Sequence, residues 1–385
     1  STITFNGTGT IGGSAATAFN NVTIAASGTI TAPSGAMNIA GNFTNNGTFT
    51  PAFGTIVLNG STTQTIGGNV SSTFNNLTIN NGNATGVTIS RPVAVNGTLT
   101  LTQGRVNTTA TNIVTLSATA STTIGNATSY INGPLAYNMA NNGTTILNLP
   151  LGKGSDWRPV VVTPTHNTAT SYTYTAELFN ASAQALGWTI PSSITNVSKV
   201  HYVDINRTVT ATTANASSTD LTSATIQLYY SATNGSSDVV SDYTHLTIAK
   251  APVAGTAWTD ISGTATGNGT GSITSGTFNS FSRFAIANEA AGINPLPIEL
   301  LSFDAIRVKG VVDLTWVTAS EKNNDYFTIE KSRDGIQFEF VGKIKGAGNS
   351  SSVLSYDAQD IKPYEGVSYY RLKQTDFDGK FTYSK

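Results

Sequence analysis

The fold is decided by a short segment that the sequence uses twice. Residues 19–24 read FNNVTI, and residues 74–79 read FNNLTI. The segment TIGG occurs at residues 10–13 and again at 65–68, which is the same interval, and TIGN follows at 123–126. Two motifs that share one offset indicate an internal repeat, the signature of folds that stack similar units.

The composition of residues 1–150 favours β-structure. These residues include 32 Thr and 23 Asn, and much of the remainder is Gly, Ser, Ala and Val. Thr is β-branched, and Asn and Gly belong to turns, so this is poor material for helices. A disordered low-complexity tract is the alternative interpretation. Short alternating runs such as Thr55–Leu58, Val87–Ile89 and Thr98–Leu101 favour ordered strands.

The repeat predicts a parallel β-solenoid over residues 1–148. Its interval of about 55 residues corresponds to about three coils of roughly 18 residues, each built from short strands. Ile, Val, Leu and Phe would fill a narrow interior, while Thr and Asn would form ladders along the faces. An antiparallel sandwich of hairpins is the alternative, because Asn-Gly is also the strongest short hairpin signal. The predicted corners, which tolerate a positive φ, are Asn46-Gly47, Asn59-Gly60, Asn81-Gly82, Asn96-Gly97, Asn132-Gly133 and Asn142-Gly143.

The charges of the chain are few and unevenly placed. Only 11% of the residues are charged, and 20 basic and 21 acidic side chains leave a formal net charge of −1. Residues 1–150 contain Arg91 and Arg105 but no Asp, Glu, Lys or His, so they supply no group for general acid–base catalysis and no carboxylate for a hard metal ion. The overall balance argues against binding to nucleic acid or to an anionic membrane. Cysteine is absent, which excludes disulfides and thiolate sites.

From about residue 145 the strands lengthen, and the sequence predicts an antiparallel β-sandwich over residues 149–293. Alternating runs separated by turn clusters are typical of this architecture. Residues 290–297 hold two prolines and a glycine and predict a domain boundary. The runs that support the sandwich are residues 159–163, 171–178, 225–230 and 281–287, with a loop and a thin edge hairpin at 263–276.

Residues 294–385 have an ordinary charge content and predict a second sandwich, of the fibronectin type III or immunoglobulin kind. Apolar residues alternate along its strands, and an Asp334-Gly335 turn separates two of them. The residues predicted to face the core are Val312, Leu314, Trp316, Phe327, Ile329, Phe338, Phe340, Ile344, Tyr370 and Leu372.

Four segments of this last region carry a family resemblance, and they are LPIELLSF at 296–303, LTWVTASE at 314–321, NDYFTIEKSRDG at 324–335 and YYRLKQTDFDG at 369–379. They resemble the fibronectin type III-like module that precedes the C-terminal sorting domain in large surface proteins of Bacteroidetes, which are exported by the type IX secretion system. LGKGSDWRP at 151–159 and GNGTGSITS at 267–275 are similar, less specifically, to the penultimate module of those proteins. The resemblance implies an exported protein of the adhesin type, although the sorting domain itself is missing here.

No constellation of residues in the sequence predicts a catalytic, cofactor-binding or metal site, and no cofactor is expected. The three histidines, His166, His201 and His245, lack metal-ligand spacing and are expected at surfaces or strand ends. The Asp376-x-Asp378-Gly379 stretch lacks a following carboxylate and is expected to form a hairpin turn. The glycine-rich stretches at residues 7–9 and 267–271 open no predicted helix, so turns are expected there rather than phosphate loops.

These observations predict a non-enzymatic structural or adhesive protein outside the cell, at the bacterial surface. Its expected partners are surface glycans or other copies of itself, with no nucleic acid and no membrane insertion. Residues at both ends of the sequence form predicted strands whose edges a second copy could cover, which would make the chain the subunit of a surface filament. The alternative is a carbohydrate-binding accessory region of a larger secreted enzyme, with Trp157, Trp188 and Trp258 as candidate sugar platforms.

Overall fold

The computed structural model describes residues 1–12, 15–139, 142–216, 218–232, 240–252, 255–289, 300–318, 321–350, 353–377, 379 and 381–384. The chain forms two compact units, Ser1–Asn294 and Pro295–Lys385. The first unit contains both the predicted solenoid and the predicted first sandwich. The predicted boundary at residues 290–297 lies outside the described residues.

The first part of the chain winds into a β-solenoid of about seven coils. The first six coils have one short strand on each of three faces, and the last coil has strands on two of them. The strands of the solenoid are β1 (Thr2–Phe5), β2 (Thr8–Thr10), β3 (Thr17–Phe19), β4 (Asn21–Ile24), β5 (Thr29–Thr31), β6 (Ala36–Ile39), β7 (Phe43–Asn45), β8 (Thr48–Thr50), β9 (Thr55–Leu58), β10 (Gln64–Gly68), β11 (Ser72–Phe74), β12 (Asn76–Asn80), β13 (Val87–Ile89), β14 (Val93–Val95), β15 (Thr98–Gln103), β16 (Val106–Asn107), β17 (Val114–Leu116), β18 (Ser121–Thr122), β19 (Ile131–Asn132) and β20 (Leu135–Met139).

On each of the three faces of the solenoid, neighbouring strands run parallel to one another. The first face runs β1-β4-β7-β10-β13-β16-β19, the second holds β2-β5-β8 and then β11-β14-β17-β20, and the third runs β3-β6-β9-β12-β15-β18. Parallel pairing of strands one coil apart confirms the predicted solenoid. The alternative of antiparallel hairpins is wrong for this region, because the chain turns a corner after each strand instead of reversing.

The predicted coil length is wrong. Along the first face, Ile3 pairs with Val22, Val22 with Phe43, and Phe43 with Ile66, so each of these coils is longer than the one before it. The interval between the two copies of the FNN segment therefore spans two coils and two further strands. The first copy joins β3 to β4 across one corner, and the second copy joins β11 to β12 across another. The repeated segment therefore marks one type of corner between strands, and its interval does not give the length of a coil.

That corner chemistry is a hydrogen bond from each coil to the next. The Oδ1 atom of Asn21 accepts from the backbone N–H of Asn42 at 2.8 Å, and the Oδ1 atom of Asn76 accepts from the N–H of Thr98 at 2.8 Å. Both asparagines are the second Asn of the FNN segment. Because each satisfies a backbone donor of the following coil, the segment holds two stacked coils in register.

Several corner glycines are required by close packing between coils. A Cβ atom on Gly47 would lie 2.2 Å from the backbone oxygen of Ala25 and 2.4 Å from that of Gly28. The glycines at residues 133 and 143 use the positive φ that these corners tolerate, whereas those at residues 47, 60, 82 and 97 do not. Glycine is required at position 47 because the backbones of two coils pack directly against each other there. The sequence does not reveal this contact.

The interior and the faces of the solenoid follow the predicted pattern. Phe43, Phe49 and Phe74 form an edge-to-face cluster with ring centroids 5.1 to 5.9 Å apart. On the outside, Thr4, Thr23 and Thr44 lie in one ladder on neighbouring strands. The predicted apolar interior and polar ladders are therefore confirmed.

The solenoid continues into two antiparallel sheets, which confirms the predicted antiparallel architecture downstream. The strands of this part of the chain are β21 (Gly143–Thr144), β22 (Leu147–Leu149), β23 (Leu151–Lys153), β24 (Asp156–Trp157), β25 (Val160–His166), β26 (Tyr172–Phe179), β27 (Ile194–Val197), β28 (Tyr202–Val209), β29 (Leu221–Tyr230), β30 (Leu246–Lys250), β31 (Thr259–Asp260), β32 (Thr264–Ala265), β33 (Gly271–Thr274) and β34 (Arg283–Glu289). Of these, β23 and β24 extend the first face of the solenoid, because β23 pairs in parallel with β19 and antiparallel with β24. Single 3-10 turns lie at Gln184–Leu186, Ser218–Asp220 and Tyr243–His245.

Strand β20 joins the two architectures. It pairs in parallel with β17 of the solenoid and antiparallel with β26, so one sheet passes from the solenoid into the sandwich through β26-β28-β34-β30-β31. The opposing sheet is β21-β25-β29-β33-β32. A single hydrophobic core, which includes Leu116 and Tyr174, extends through both parts. The continuous ladder and core make the solenoid and this sandwich one unit.

The second unit is a seven-stranded sandwich of the fibronectin type III kind, with a three-stranded sheet β35-β36-β39 and a four-stranded sheet β38-β37-β40-β41. Its strands are β35 (Leu300–Val308), β36 (Val311–Thr318), β37 (Glu321–Ser332), β38 (Glu339–Ser350), β39 (Leu354–Asp360), β40 (Tyr369–Asp376) and β41 (Phe381–Tyr383). Trp316 is fully buried at the centre of its core.

Two predicted core residues of the second unit lie outside its core. Phe338 is half-buried against Arg371, whose guanidinium lies 3.7 Å from the ring centre. Phe340 is 66% exposed, whereas Phe327 and Ile329 are buried as predicted. The pairing of β37 with β38 shifts register between Ile329 and Glu330, which places Phe340 opposite Glu330 on the outer face. A β-bulge of this kind reverses the side-chain alternation and cannot be deduced from a pattern of period two.

Candidate functional site

The candidate site is an open groove in the first unit, with a volume of about 500 Å³. Its floor is the outer face of strands β26, β28 and β34. Residues from a solenoid corner, including Ile113 and Pro134, line it together with Trp188 and Pro252. The volume lies within the range typical of small-molecule sites.

A row of charged side chains crosses the floor of the groove. Alternation along the strands turns Glu177, Asp204 and Arg283 outward, and the strand register places them directly side by side. The guanidinium of Arg283 binds Asp204 in a bidentate pair, with Nε–Oδ1 at 2.6 Å and Nη2–Oδ2 at 2.7 Å. Lys153 Nζ lies 2.8 Å from Glu177 Oε1. The hydrogen bonds that Arg283 donates to Asp204 raise the pKa of Arg283 above its ordinary value.

Aromatic rings flank this charged row. Phe179 stacks on Tyr202 with ring centroids 5.1 Å apart, and the guanidinium of Arg283 lies 4.4 Å from the Tyr202 ring centre and 5.6 Å from that of Trp188. Arg283 both pairs with Asp204 and lies against the rings of Tyr202 and Trp188, so the ion pair and these rings hold one another in position. The groove therefore offers apolar ring surface beside polar groups, with Asn206 and Thr175 also on its floor.

Only one of the three tryptophans proposed as sugar platforms lines the groove. Trp188 is half-buried and packs against Trp258, whose ring is 3% exposed and unavailable to a ligand. Trp157 is half-buried elsewhere, and its Nε1–H donates to the backbone oxygen of Ile124 at 3.0 Å. The structure thus reduces the predicted set of platforms to Trp188.

The three histidines lie in separate environments. His166 is buried at the end of β25, with Nε2 2.5 Å from the Tyr174 hydroxyl, and His201 is buried just before β28. His245 is partly exposed and pairs with Asp242 at 2.6 Å. The expectation of strand-end or surface positions thus misses the burial of His166 and His201. Among the described residues no three potential ligands converge on a metal site.

We expect the stability of the first unit to depend on the protonation of His166. Burial, reinforced by the charge of Arg207, lowers the pKa of His166 from 6.5 to about 4. The unfolded chain takes up this proton as the pH falls below 6.5 while the folded chain does not, so stability present at pH 7 is lost towards pH 4. The expected loss is about 3 kcal/mol.

Urea unfolding at pH 7 and pH 4, followed by tryptophan fluorescence, measures this loss. In His166→Gln, the difference between the free energies of unfolding at pH 7 and at pH 4 is expected to be smaller by about the same 3 kcal/mol. His245→Gln, at the partly exposed histidine, serves as the control. An unchanged pH dependence in His166→Gln would show that this residue is not responsible.

The other motifs singled out in the sequence form ordinary β-structure. Gly9 lies in strand β2, residues 267–270 lie in the connection between β32 and β33, and Gly271 begins β33. Asp376 ends β40, and the N–H of Gly379 donates to its backbone oxygen at 2.9 Å, which closes a turn; Asp378 lies outside the described residues. The helices of the described chain are single 3-10 turns, and none of them is long and apolar enough to cross a membrane.

Sequence reasoning missed the charged row of the groove. Glu177 lies in a predicted strand, and its outward position follows from alternation. Asp204 and Arg283, however, lie on strands that are distant from Glu177 in the sequence. These three side chains become neighbours only through the order of the strands in the sheet.

Comparison with protein-family models, with curated proteins and with solved structures finds no match to this chain.

Proposed function

We propose that the chain is a non-enzymatic adhesive protein of the bacterial surface, in which the groove binds a glycan and the solenoid is a rigid support. The observation that carries this proposal is the pairing of ring surface at Trp188 and Phe179 with a fixed row of hydrogen-bonding groups at Glu177, Asp204 and Arg283. Sugars present both apolar C–H faces and hydroxyl groups, so this combination suits them.

The absence of an enzymatic role is part of the proposal and is supported by the state of the two carboxylates. Both oxygens of Asp204 accept from Arg283, and Glu177 is engaged by Lys153. General acid–base catalysis of glycoside cleavage uses carboxyl groups that are free to exchange a proton with the substrate. These carboxylates instead form part of a structural network.

Export by the type IX system and location at the cell surface rest on the resemblance of the last region to surface proteins of Bacteroidetes. Assembly into a filament is a further part of the proposal. It is supported by the formal net charge of −1, since a nearly neutral chain lacks the like-charge repulsion that keeps copies apart.

A glycan array probed with the whole chain tests the proposal. Trp188→Ala is expected to weaken binding at least about fivefold, because aromatic stacking contributes on the order of 1 kcal/mol or more. Asn206→Ala tests the groove separately, since Asn206 is exposed and its removal leaves the core intact. Phe53→Ala is the control, because Phe53 is 89% exposed on a solenoid corner outside the groove. Wild-type binding retained by both groove variants would contradict the proposal.

A further inference from the structure

The two outer faces of the second unit carry opposite charges. The outer face of the four-stranded sheet, here the basic face, consists of Phe340, Lys343 and Lys345 on β38, Tyr326, Thr328 and Glu330 on β37, Arg371, Lys373 and Thr375 on β40, and Phe381 and Tyr383 on β41. It holds four cations and one carboxylate. Glu330 binds Arg371 at 2.7 Å, whereas the other three cations form no ion pair within the described chain.

The strand register fixes this composition. Phe327 and Ile329 point into the core, so Thr328 between them points outward, and its neighbours across the sheet are Lys343 and Lys373. The same alternation turns the remaining members of the face outward. Basic residues two positions apart on β38 and on β40 therefore collect on one side of the sandwich.

Aromatic rings hold the cations against the basic face. Lys343 Nζ lies 3.1 Å from the ring centre of Tyr326, Lys373 Nζ lies 3.9 Å from that of Phe381, and the guanidinium of Arg371 lies 3.9 Å from that of Tyr383. Phe381 is 52% exposed. The result is a positively charged surface with apolar area accessible between the charges.

The outer face of the three-stranded sheet, here the acidic face, has the complementary composition. Asp304 and Asp357 both lie beside Thr315, and Asp313 lies in the adjacent row next to Ile306. Ile306 is 62% exposed. Within the described residues this face carries three aspartates and no Lys or Arg.

The separation of charge is a property of the fold rather than of the composition. Residues 296–385 contain 12 basic and 13 acidic side chains, nearly equal numbers. In the sequence these charges alternate along the strands, as they do on an ordinary solvated surface. Alternate residues of a strand point to opposite sides, so such alternation can sort charges onto different faces.

We propose that the basic face of one copy docks on the acidic face of a second copy. An anionic polysaccharide or nucleic acid would engage the basic face alone, whereas a second copy uses both surfaces and their exposed apolar groups. Such a contact joins two different faces, so each added copy leaves one of each free and the assembly grows as an open row. The proposal extends the filament form of the proposed function and is independent of the glycan groove.

Sedimentation of the whole chain at increasing concentration tests the docking. At about 0.01 M salt the mean mass is expected to rise with concentration, and at about 1 M salt it is expected to fall to the monomer, because the Debye length shortens from roughly 30 Å to roughly 3 Å. Lys343→Glu/Lys373→Glu and Asp304→Lys/Asp357→Lys are each expected to weaken self-association at least about tenfold. Glu365→Lys, on an exposed loop, is the charge-reversal control.

Mixing the two double variants gives the decisive result. The first variant keeps the acidic face and the second keeps the basic face, so the mixture is expected to associate although neither variant does so alone. A chain that stays monomeric at low salt, or a mixture that does not associate, would overturn the proposal, as would a monomer that instead binds polygalacturonate or DNA through Lys343 and Lys373. Glycan-array binding through Trp188 is unaffected by these variants, so the two proposals fail separately.

Discussion

Gly47→Ala is expected to destabilise the solenoid by about 3 kcal/mol or more, since overpacking against a backbone that cannot move away is costly. The new Cβ would lie 2.2 Å from the backbone oxygen of Ala25. Relief of that contact must separate two coils at the point where Asn46 N–H donates to Ile24 O and Thr48 N–H donates to Gly28 O, both at 2.9 Å. The substitution therefore breaks the stack at a tightly packed corner.

Gly82→Ala is the matched control for this prediction. Gly82 also follows an asparagine at a corner, but the nearest atom to its Cβ position is 3.8 Å away, which is an ordinary contact. We expect a change within about 0.5 kcal/mol, because a compatible Gly-to-Ala change mainly reduces the entropy of the unfolded chain. Urea unfolding followed by circular dichroism, together with hydrogen exchange in the coils around residue 47, measures both variants. Equal midpoints for the two would contradict the packing argument.

Glu321→Ala is expected to destabilise the second unit by about 4 kcal/mol. Glu321 is 3% exposed and accepts hydrogen bonds from Thr318 Oγ1 at 3.0 Å, Asn324 Nδ2 at 2.7 Å, Ala347 N at 2.8 Å and the Tyr356 hydroxyl. Removal of this carboxylate leaves several donors without an acceptor, and an unsatisfied buried donor costs about 1–3 kcal/mol.

Hydrogen exchange of the whole chain measures this effect. Peptides of the second unit that contain Trp316 or Phe327 are expected to exchange about a thousandfold faster in Glu321→Ala, since each factor of ten corresponds to about 1.4 kcal/mol. Glu339→Ala is the control, because Glu339 is exposed on β38 of the same unit. Similar exchange in the two variants would show that the buried carboxylate is not a principal anchor of this unit.

Much of the fold was predictable because period and composition act locally. Thr55–Leu58 and Val87–Ile89 are strands with the predicted bounds, and the alternation of Val312, Leu314 and Trp316 correctly gives their burial. The coil length was not predictable. The FNN segment satisfies a backbone donor at two different corners of the coil, so its recurrence does not tell which face of the solenoid follows.

The candidate site was less accessible to sequence reasoning. Trp188 was identified by residue type, but Glu177, Asp204 and Arg283 become neighbours only because β26, β28 and β34 are adjacent in one sheet. The same is true of the basic face, where Lys343 and Lys373 flank Thr328. Strand order is a long-range property, and it has no counterpart in the spacing of these residues along the chain.

The sequence by itself determined that this protein is all β, favoured stacked parallel coils over antiparallel hairpins for its Thr- and Asn-rich first region, and showed that this region holds almost no titratable group. These properties follow from alternation, turn residues and composition, which act over a few neighbouring positions. Only the tertiary structure decided which residues meet: the coil register, the continuous sheet at β20, the charged row of the groove and the separation of charge in the second unit. Each depends on pairing between distant strands, since hydrogen bonding across a sheet, rather than proximity in sequence, brings those side chains together.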